Sequence, residues 1–378
     1  MSKYFSSDYD VTVLTTEPQY PNSELYRNKK DWQSKVNENI KVIRVSTKKK
    51  SYKHFLMVRL FLYLEVFIKL FRGIHNDLSK EKYDFIFVSS PPLSIPLLGI
   101  YAKYKFKAKL ILDVRDLWPE TLTAIKSISS LILQYISYPL EKKIYQSSNS
   151  IIVNSEAFIP YIREIIGPDK EIVFIPNSLT TKEFNYDKKY ENKETIQIIY
   201  AGNLGIAQDL SVFLELANAF KNNNIVKFVL MGYGIYSQDI IDTVKKRNLT
   251  NIEILQPEPR AKVLERMKES DIAYIGLENQ SAFHTVIPGK LIDYMGAGLP
   301  IIALTYGYSR KIIEEADAGI VLNLDDGIDD WVKSIEGLIY HSDVRRYYGE
   351  NSRIYAQKHF DWDSNQNLLG KVLKNLDD

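Results

Sequence analysis

The stretch of residues 286–300, VIPGKLIDYMGAGLP, contains the signals that begin and end one short helix. Pro288 stands where the helix begins, because proline is favoured in the first helical turn. Gly298 stands where it ends, because glycine readily adopts the left-handed conformation that closes helices. One apolar run precedes the stretch at 272–275, and another closes it at 300–304. A helix between two continuous apolar runs predicts a strand–helix–strand unit of a parallel sheet.

Strand-like apolar runs separated by helical patterns continue along the chain in both directions from this stretch. Six runs lie in the first half, at residues 11–15, 40–45, 85–89, 109–114, 150–154 and 172–175. Six more lie in the second half, at residues 196–201, 227–231, 252–255, 272–275, 300–304 and 320–322. Two sets of this kind predict an α/β protein with two doubly wound, Rossmann-like domains. We expect these domains at residues 1–178 and 196–360, with a polar linker at 179–195 and a C-terminal helix at 361–378.

The composition is that of an ordinary globular protein, and it excludes several kinds of site. The chain has 378 residues, of which 45% are hydrophobic and 25% are charged, and this length is sufficient for two cores. It contains no cysteine, so disulfides, iron–sulfur clusters, cysteine-ligated zinc and a cysteine nucleophile are excluded. The five histidines include no pair at HxxxH spacing, so we expect no histidine-based metal site.

The formal net charge of +2 conceals two halves of opposite sign. Residues 1–178 carry 26 basic and 18 acidic side chains, a net charge of +8, whereas the remaining residues carry 23 and 29, a net charge of −6. Halves of opposite charge indicate domains that face different partners. Because the overall charge is small, we expect no nucleic acid among those partners.

The basic charge of the first half is concentrated in residues 48–75, KKKSYKHFLMVRLFLYLEVFIKLFRGIH. Seven basic residues, one acidic residue and large apolar residues between them are typical of a helix at an anionic membrane surface. The charges make a membrane span improbable for this segment. The alternatives are a core helix with solvated lysines and, as a minor one, a surface that binds the phosphates of RNA. Residues 85–102 are uncharged, but their three prolines predict a strand, a loop and a helix start instead of a span.

Ligands of open α/β sheets bind beyond the carboxyl ends of the strands. After the first strand of the second half come Gly202, Asn203, Leu204 and Gly205. The glycines permit close backbone approach, and the following helix offers N–H groups, which suits a phosphate. Gly232 follows the next strand in the same way. Taken alone, such glycines are more often structural than functional.

Lys290 and Asp293 lie on the short helix of residues 286–300. Their spacing of three places both on one side of its first turns, where the positive end of the helix dipole adds to the charge of the lysine. Lys290 could carry the charge of a phosphate, and Asp293 could accept hydrogen bonds from a ribose diol. The alternative is a capping carboxylate beside a surface lysine.

These motifs, in this order, resemble the GT-B glycosyltransferases of family 4, and more narrowly the subgroup that builds bacterial O-antigen and capsule chains. The segment 286–300 is similar to that subgroup's P-S-K-x-x-[DE]-Y-M-A-x-G-x-P. Supporting matches in the first half are SSPP at 89–92, DVRDLWPE at 113–120, NS at 154–155 and IPNS at 175–178. The resemblance covers nearly the whole chain.

The resemblance implies a GT-B fold, in which two Rossmann-like domains face a central cleft and the C-terminal helix crosses back to the first domain. It implies a retaining transferase that moves a sugar from a nucleotide-sugar, with a UDP-sugar as the expected donor, to a glycolipid or oligosaccharide acceptor. No cofactor and no metal is expected. The implied nucleotide-sugar site consists of Gly202, Asn203, Gly205, Gly232, His284, Thr285, Pro288, Gly289, Lys290 and Asp293. The implied catalytic residues are Lys290, Arg115 and Asp116.

Several positions depart from the family pattern. The family's second glutamate, eight residues before the ribose acid, is Thr285 here, with His284 beside it. The lysine that is common after the first glycine loop is absent near Gln208, which gives Lys290 more weight. Arg115 replaces the usual histidine, and a guanidinium is a permanent cation rather than a proton shuttle.

Relatives begin with a further strand, glycine loop and helix before the strand equivalent to residues 11–14. Residues 2–9 resemble the end of that helix, so we expect a βα unit of about 20–30 residues to be missing, through a late start codon or in a degraded paralogue. The hypothesis is a cytoplasmic glycosyltransferase at the inner face of the plasma membrane, active in surface-polysaccharide synthesis. The alternatives are a non-catalytic nucleotide-sugar-binding scaffold and a sugar-nucleotide epimerase of the same fold.

Overall fold

A computed structural model of the chain describes residues 5–6, 8–18, 40–47, 56–124, 128–184, 188–191 and 193–377. The chain divides into two compact units, each built from more than one segment. The first unit contains Met1–Asn154, Phe158–Ile175 and Gln366–Asp378, and the second contains Ser155–Ala157 and Pro176–Asn365. Within the described ranges, no helix combines the length and the apolar character needed to cross a membrane.

All twelve predicted strands occur, and their ends differ from the apolar runs by at most two residues. The strands of the first unit are β1 Val11–Thr16, β2 Ile40–Val45, β3 Phe85–Ser90, β4 Lys109–Val114, β5 Ser150–Val153 and β6 Ile172–Phe174. Those of the second are β7 Ile196–Asn203, β8 Val226–Tyr233, β9 Ile252–Leu255, β10 Ile272–Gly276, β11 Ile301–Leu304 and β12 Gly319–Val321.

Helices connect the strands, as expected for parallel sheets. The first unit contains α1 Leu56–Arg72 with a π-helical turn Gly73–Asp77, α2 Ser94–Phe106, α3 Ile128–Ser147 and α4 Ile159–Ile166. The second contains α5 Thr181–Phe184, α6 Ser211–Ala219, α7 Ser237–Lys246, α8 Arg260–Glu269, α9 Gly289–Gly296, α10 Gly307–Glu315, α11 Ile328–Tyr340 and α12 Ser342–His359. The last helix, α13 Trp362–Asp377, begins in the second unit and ends in the first. Short 3₁₀ turns occupy Glu120–Ala124, Glu156–Phe158 and Ser281–Phe283.

Every strand pairing is parallel, which confirms the predicted sheet class. The second unit has one six-stranded sheet in the order β12-β11-β10-β7-β8-β9. The first unit has a four-stranded sheet, β3-β4-β5-β6, and a separate pair, β1-β2. The strand order of the second unit reverses beside β7, so β7 ends at the topological switch point where open sheets bind ligands.

The four-stranded sheet of the first unit is covered on both faces. Successive side chains of each strand point to opposite faces, so β3 contributes to the packing on both. On one face, Ile86 packs with Leu70 of α1 and Leu98 of α2. On the other, Phe85 and Phe87 pack in a cluster with Leu369 and Leu373 of α13. The C-terminal half of α13 therefore belongs to the core of the first unit.

Among the described residues, no strand pairs with β3 on the side that faces β1. Residues of β1 and β3 line a cavity of about 450 Å³. Phe87 of β3 is half-buried, whereas Ile111 of the neighbouring β4 is completely buried. The apolar side chains of Val11 and Val13, on β1, are likewise only half-buried.

The segment expected as a linker, 179–195, packs on the second unit where it is described. Leu179 and Phe184 are buried, and the ammonium group of Lys188 donates to the carbonyl oxygen of Lys268 at 2.7 Å. The polar composition of the segment obscured these apolar anchors, which lie five residues apart. The longer segment of the second unit, Pro176–Asn365, accordingly includes these residues.

The basic segment 48–75 is described only from residue 56, and residues 48–55 lie outside the described ranges. Its described part is the amphipathic helix α1. Leu62 and Leu70 of α1 are buried in the first unit, while Phe61, Leu64 and Ile68 are 54%, 53% and 40% exposed.

Candidate functional site

The loop that follows β7 carries the first predicted glycines. A Cβ atom on Gly202 would lie 2.9 Å from Cε of Lys290, so any other residue at this position would require the lysine side chain to shift. A Cβ on Gly205 would lie 2.8 Å from the side-chain amide of Asn203. Both glycines of this loop therefore make room for a neighbouring side chain. Gly202 lies against Lys290, and Gly205 lies against Asn203.

Gly232 is explained by backbone packing. A Cβ atom on it would lie 2.5 Å from the carbonyl oxygen of Gly202, its partner in the β7–β8 ladder. Gly232 thus allows the end of β8 to approach the loop after β7. Its contribution to a ligand site is indirect.

The short helix α9 begins and ends as the sequence predicted. Pro288 is its N-cap residue with an extended backbone, and Gly298 follows its end with φ of 67°. Gly289, the first helical residue, has open space where a Cβ would lie. No contact requires glycine at position 289, whereas the left-handed conformation favours it at 298.

Lys290 points from the first turn of α9 to the end of β7. Its ammonium group donates to the hydroxyl of Tyr200 at 2.6 Å and to Oε1 of Gln208, and it lies 4.0 Å from the centroid of the Tyr200 ring. Burial alone lowers the pKa of Lys290 to about 7. The ammonium group therefore has neutral partners here, and an anion beside it would restore its charge.

The side chain of Asp293 has different partners from that of Lys290, although the two residues are only three positions apart. Both of its carboxylate oxygens accept hydrogen bonds from the guanidinium of Arg260, at 2.8 and 2.9 Å. The side chain of Asp293 is only 15% exposed. Burial raises its pKa, and the hydrogen bonds and charge of Arg260 oppose that effect.

His284 and Thr285 lie in the loop before α9. The Nε2 atom of His284 is 2.9 Å from Oδ1 of Asn279, and its ring stacks on that of Tyr306 with centroids 5.8 Å apart. The carbonyl oxygen of Thr285 accepts a hydrogen bond from the hydroxyl of Ser155. The loop before α9 is therefore held by contacts of the His284 ring with Asn279 and Tyr306 and by the hydrogen bond from Ser155 to Thr285.

Arg115 and Asp116 lie in the first unit, directly after β4. The guanidinium of Arg115 donates from Nε to the buried carboxylate of Asp113 at 2.7 Å, and the hydroxyl of Ser89 donates to the same carboxylate. Burial raises the pKa of Asp116 to about 6, against the opposing charge of Arg115. Asp116 can therefore change protonation state near neutral pH.

The structure adds three residues that the motifs did not identify as part of the site. Tyr200 and Gln208 contact Lys290, and Arg260 contacts Asp293. Tyr200 lies two residues before Gly202 on an ordinary apolar strand, and Arg260 is 33 residues from Asp293, so neither carried a local signal. Gln208 lies in the region where the family usually has a lysine. The absence of that lysine was the one sequence feature that pointed to Gln208 as part of the site.

Two family comparisons now identify the chain. Residues 3–178 match the glycosyl transferase 4-like domain, and residues 181–355 match the glycosyl transferases group 1. The chain belongs to the group 1 glycosyltransferases. The two matches fall on the first and second units of this glycosyltransferase and together span nearly its whole length.

Sequence and structure relatives agree with this placement. The glycosyltransferase is 25% identical over 397 residues to an uncharacterised glycosyltransferase of Methanocaldococcus jannaschii, covering 99% of this chain and 93% of that protein. Sucrose-phosphate synthase of Thermosynechococcus elongatus superimposes with a TM-score of 0.75 at 14% identity, over 99% of this chain and 91% of the other. HepE of Anabaena gives a TM-score of 0.69 at 13% identity, over 97% and 100%. These neighbours confirm the GT-B class, with two Rossmann-like domains.

No group of three or more His, Asp or Glu side chains in the described ranges is arranged to hold a metal ion. The expectation that the glycosyltransferase needs no metal and no cofactor stays a prediction.

Proposed function

We propose that this glycosyltransferase moves a sugar from a UDP-sugar to a lipid-linked or oligosaccharide acceptor, with retention at the anomeric carbon. Its place, in this proposal, is the synthesis of a bacterial surface polysaccharide such as O-antigen or capsule. Retention, the hexosyl donor and the polysaccharide role rest on the motif resemblance. The nucleotide donor rests also on the site in the second unit.

The observation that carries the proposal is the surroundings of Lys290. Lys290 is the second residue of α9, and its ammonium group lies against the glycine loop after β7, with hydroxyl and amide partners. A helix N-terminus and a cation with neutral partners together favour an anion. A diphosphate bound there would gain both interactions, and Lys290 would stabilise the charge that develops on the leaving diphosphate.

Structural neighbours support a uridine nucleotide. HepE of Anabaena has been crystallised with UDP, with UDP and glucose, and with UDP-glucose. A mutant of the S. aureus protein TarM, with a TM-score of 0.59 over 82% of this chain, has been crystallised with UDP, α-GlcNAc-glycerol and fondaparinux. The same type of donor in this chain would place its diphosphate at Lys290.

The other predicted residues take the following proposed roles. Asp293 accepts hydrogen bonds from the ribose, and His284 and Thr285 contact the donor sugar. Arg115 and Asp116 take part in catalysis, Arg115 as a cation and Asp116 as a titratable carboxyl. The diphosphate is bound by the backbone near Gly202, Asn203, Gly205, Gly232, Pro288 and Gly289.

The direct test is UDP release from a panel of UDP-sugars by wild-type protein and by Lys290→Met. We expect Lys290→Met to reduce turnover about 10²-fold or more, as removal of a dedicated charge stabiliser does. Lys311→Met is the matched control, because Lys311 is an exposed lysine paired with Glu315 on α10. Turnover of Lys290→Met close to that of the control would contradict the role of Lys290. UDP binding without turnover of any donor would favour the scaffold.

We propose further that α1 rests on the cytoplasmic surface of an anionic membrane. Phe61, Leu64, Ile68 and Phe71 follow one another at spacings of three and four and are 37–54% exposed, so they form one apolar stripe. Arg72 stands in the last turn beside this stripe, as does Lys69, whose ammonium group pairs with Glu65 at 2.8 Å. An apolar stripe flanked by cations is typical of helices that lie in the headgroup region.

Co-sedimentation with vesicles tests this membrane proposal. We expect binding to phosphatidylglycerol vesicles that weakens with salt, and weak binding to phosphatidylcholine vesicles. The double variant Phe61→Ser, Leu64→Ser should lose binding. A control double variant, Leu324→Ser, Ile354→Ser, removes side chains that are 50% and 61% exposed in the second unit. Equal sedimentation of both variants with anionic vesicles would show that the stripe of α1 does not carry the interaction.

A further inference from the structure

Arg260, the first residue of α8, donates two hydrogen bonds to the carboxylate of the proposed ribose acid, Asp293. Its Nη1 and Nη2 atoms donate to Oδ2 and Oδ1 of Asp293 at 2.9 and 2.8 Å. Two parallel hydrogen bonds between a planar guanidinium and a carboxylate fix both the distance and the orientation of the carboxylate.

A second carboxylate holds Arg260 from another direction. Nε of Arg260 donates to Oε1 of Glu183 at 3.2 Å. Oε2 of Glu183 in turn accepts hydrogen bonds from the backbone N–H and the hydroxyl of Thr180, at 2.8 and 2.9 Å, in a capping box of α5. Because Glu183 is fixed by its own helix, the guanidinium is held at three of its nitrogen atoms.

The charges and lone pairs of this group leave capacity for a ligand. One cation and two carboxylates give a net charge of −1, which attracts hydroxyl protons. A carboxylate offers about four acceptor positions, and the fork of Arg260 occupies one on each oxygen of Asp293. Each oxygen therefore keeps a position for a further donor.

We propose that Arg260 is a positioning residue that orients Asp293 to accept the ribose hydroxyls of the donor nucleotide. This inference rests on the proposed function, in which Asp293 is the ribose acid. The guanidinium also opposes the rise in the pKa of the Asp293 carboxyl that burial causes. It thereby favours the ionised form of the carboxyl group, which only accepts hydrogen bonds.

The test compares the affinities of UDP, 2′-deoxy-UDP and 3′-deoxy-UDP, measured by calorimetry. We expect wild-type protein to prefer UDP over a deoxy analogue by about 10-fold or more, as a lost hydrogen bond to a charged group implies. In Arg260→Met this preference should fall towards one, because UDP loses affinity and the deoxy analogue does not lose as much. Arg260→Lys keeps the charge without the fork and should give an intermediate preference.

Arg266→Met is the control, because Arg266 lies on the same helix, is 48% exposed and pairs with Glu269 at 3.5 Å. It should keep the wild-type preference. If Arg260→Met and Arg260→Lys weaken UDP and the deoxy analogues equally, Arg260 is merely structural and the inference is wrong.

Asp293→Asn separates failure of the inference from failure of the proposed function. If Asp293→Asn abolishes the preference and the Arg260 variants keep it, Asp293 is the ribose acid and only the role of Arg260 is overturned. If wild-type protein shows no preference, or Asp293→Asn retains it, the ribose role of Asp293 fails and the inference fails with it. If wild-type protein does not bind UDP, the proposed donor itself is wrong.

Discussion

The sheets of the two units are built from similar apolar strands but are covered to different degrees. In the second unit, β8 lies between β7 and β9, and Phe228 at its centre is completely buried. In the first unit, β3 pairs with β4 alone among the described residues, and Phe87 is half-buried. A cavity of about 450 Å³ lies between β3 and β1.

This difference teaches that a continuous apolar run predicts a strand but does not predict its neighbours. Residues 85–88, FIFV, are as apolar as residues 228–231, FVLM, yet only the second run is enclosed. A strand with an unpaired side keeps backbone groups free for another strand, which is the usual origin of edge-to-edge association.

Amide exchange should show the largest contrast between the two strands. About half of the N–H groups of β3 point away from β4 and towards the cavity. We expect these to exchange by small local openings, and the β8 amides only by global unfolding. Local and global opening free energies differ by several kcal/mol, so the rates should differ by roughly four orders of magnitude or more. Uniform protection along β3, measured by NMR, would mean that its second side is covered.

Truncation of one phenylalanine in each sheet should give the next largest contrast. Phe228→Ala should reduce the free energy of unfolding by about 3–5 kcal/mol, because it removes a completely enclosed ring. Phe87→Ala should reduce it by less than half as much, because the ring is half-buried beside a cavity that already exists. Urea denaturation measures both, and similar losses would contradict the difference in coverage.

The two units should also respond oppositely to pH. In the first, burial raises the pKa of Glu141 from 4.5 to about 7 despite hydrogen bonds from Tyr145 and Tyr161. Its contribution to stability is complete below pH 4.5 and is lost as pH rises through 7. In the second, burial lowers the pKa of Lys290 from 10.5 to about 7. Its contribution is complete above pH 10.5 and is lost as pH falls through 7.

Calorimetric unfolding across pH 4–10 tests these two dependences. Glu141→Gln should flatten the decrease below pH 7, and Lys290→Met should flatten the increase above it. If UDP binds at Lys290 as proposed, the Lys290 dependence should weaken, since the diphosphate favours the charged lysine and raises its pKa back towards 10.5. If the stability of Lys290→Met still increases above pH 7, a titratable group other than Lys290 causes the increase.

The smallest effect concerns a glycine in each unit. Gly289→Ala should stabilise the second unit by about 0.4–1 kcal/mol, because the added methyl group meets open space and the unfolded chain loses freedom. Gly99→Ala is the counterpart in the first unit and should destabilise it, since the methyl group would lie 2.8 Å from Val88. A loss of stability in Gly289→Ala would show that the start of α9 has no space for a methyl group at position 289.

Local patterns predicted the strands, the helix α9 and its two ends, because apolar periodicity and capping residues act over short distances. They also placed Lys290 near Gly202, since a strand end and a helix start meet at the same edge of a parallel sheet. The linker was different: two buried side chains, Leu179 and Phe184, anchor it among charged residues. Composition averages over such isolated anchors.

The partner of Asp293 could not be predicted from its helix. Spacing placed Asp293 beside Lys290, but their side chains contact different elements, β7 and α8. The choice depends on where α8, the connection between β9 and β10, begins in space, and the sequence near Asp293 carries no information on that position. Arg260 at the first position of α8 carries no motif that distinguishes it from Arg266, the other arginine of that helix.

The second unit is not formed by one continuous segment of the chain. The chain leaves β5, contributes Ser155–Ala157 to the second unit and returns to the first at Phe158. Ser155 donates to the carbonyl oxygen of Thr285, and Glu156 accepts a hydrogen bond from the hydroxyl of Tyr308. An excised fragment 176–365 would lack both contacts at the loop that carries His284. Exchange of residues 176–365 alone would therefore transfer most of the second unit without two of the hydrogen bonds that hold this loop.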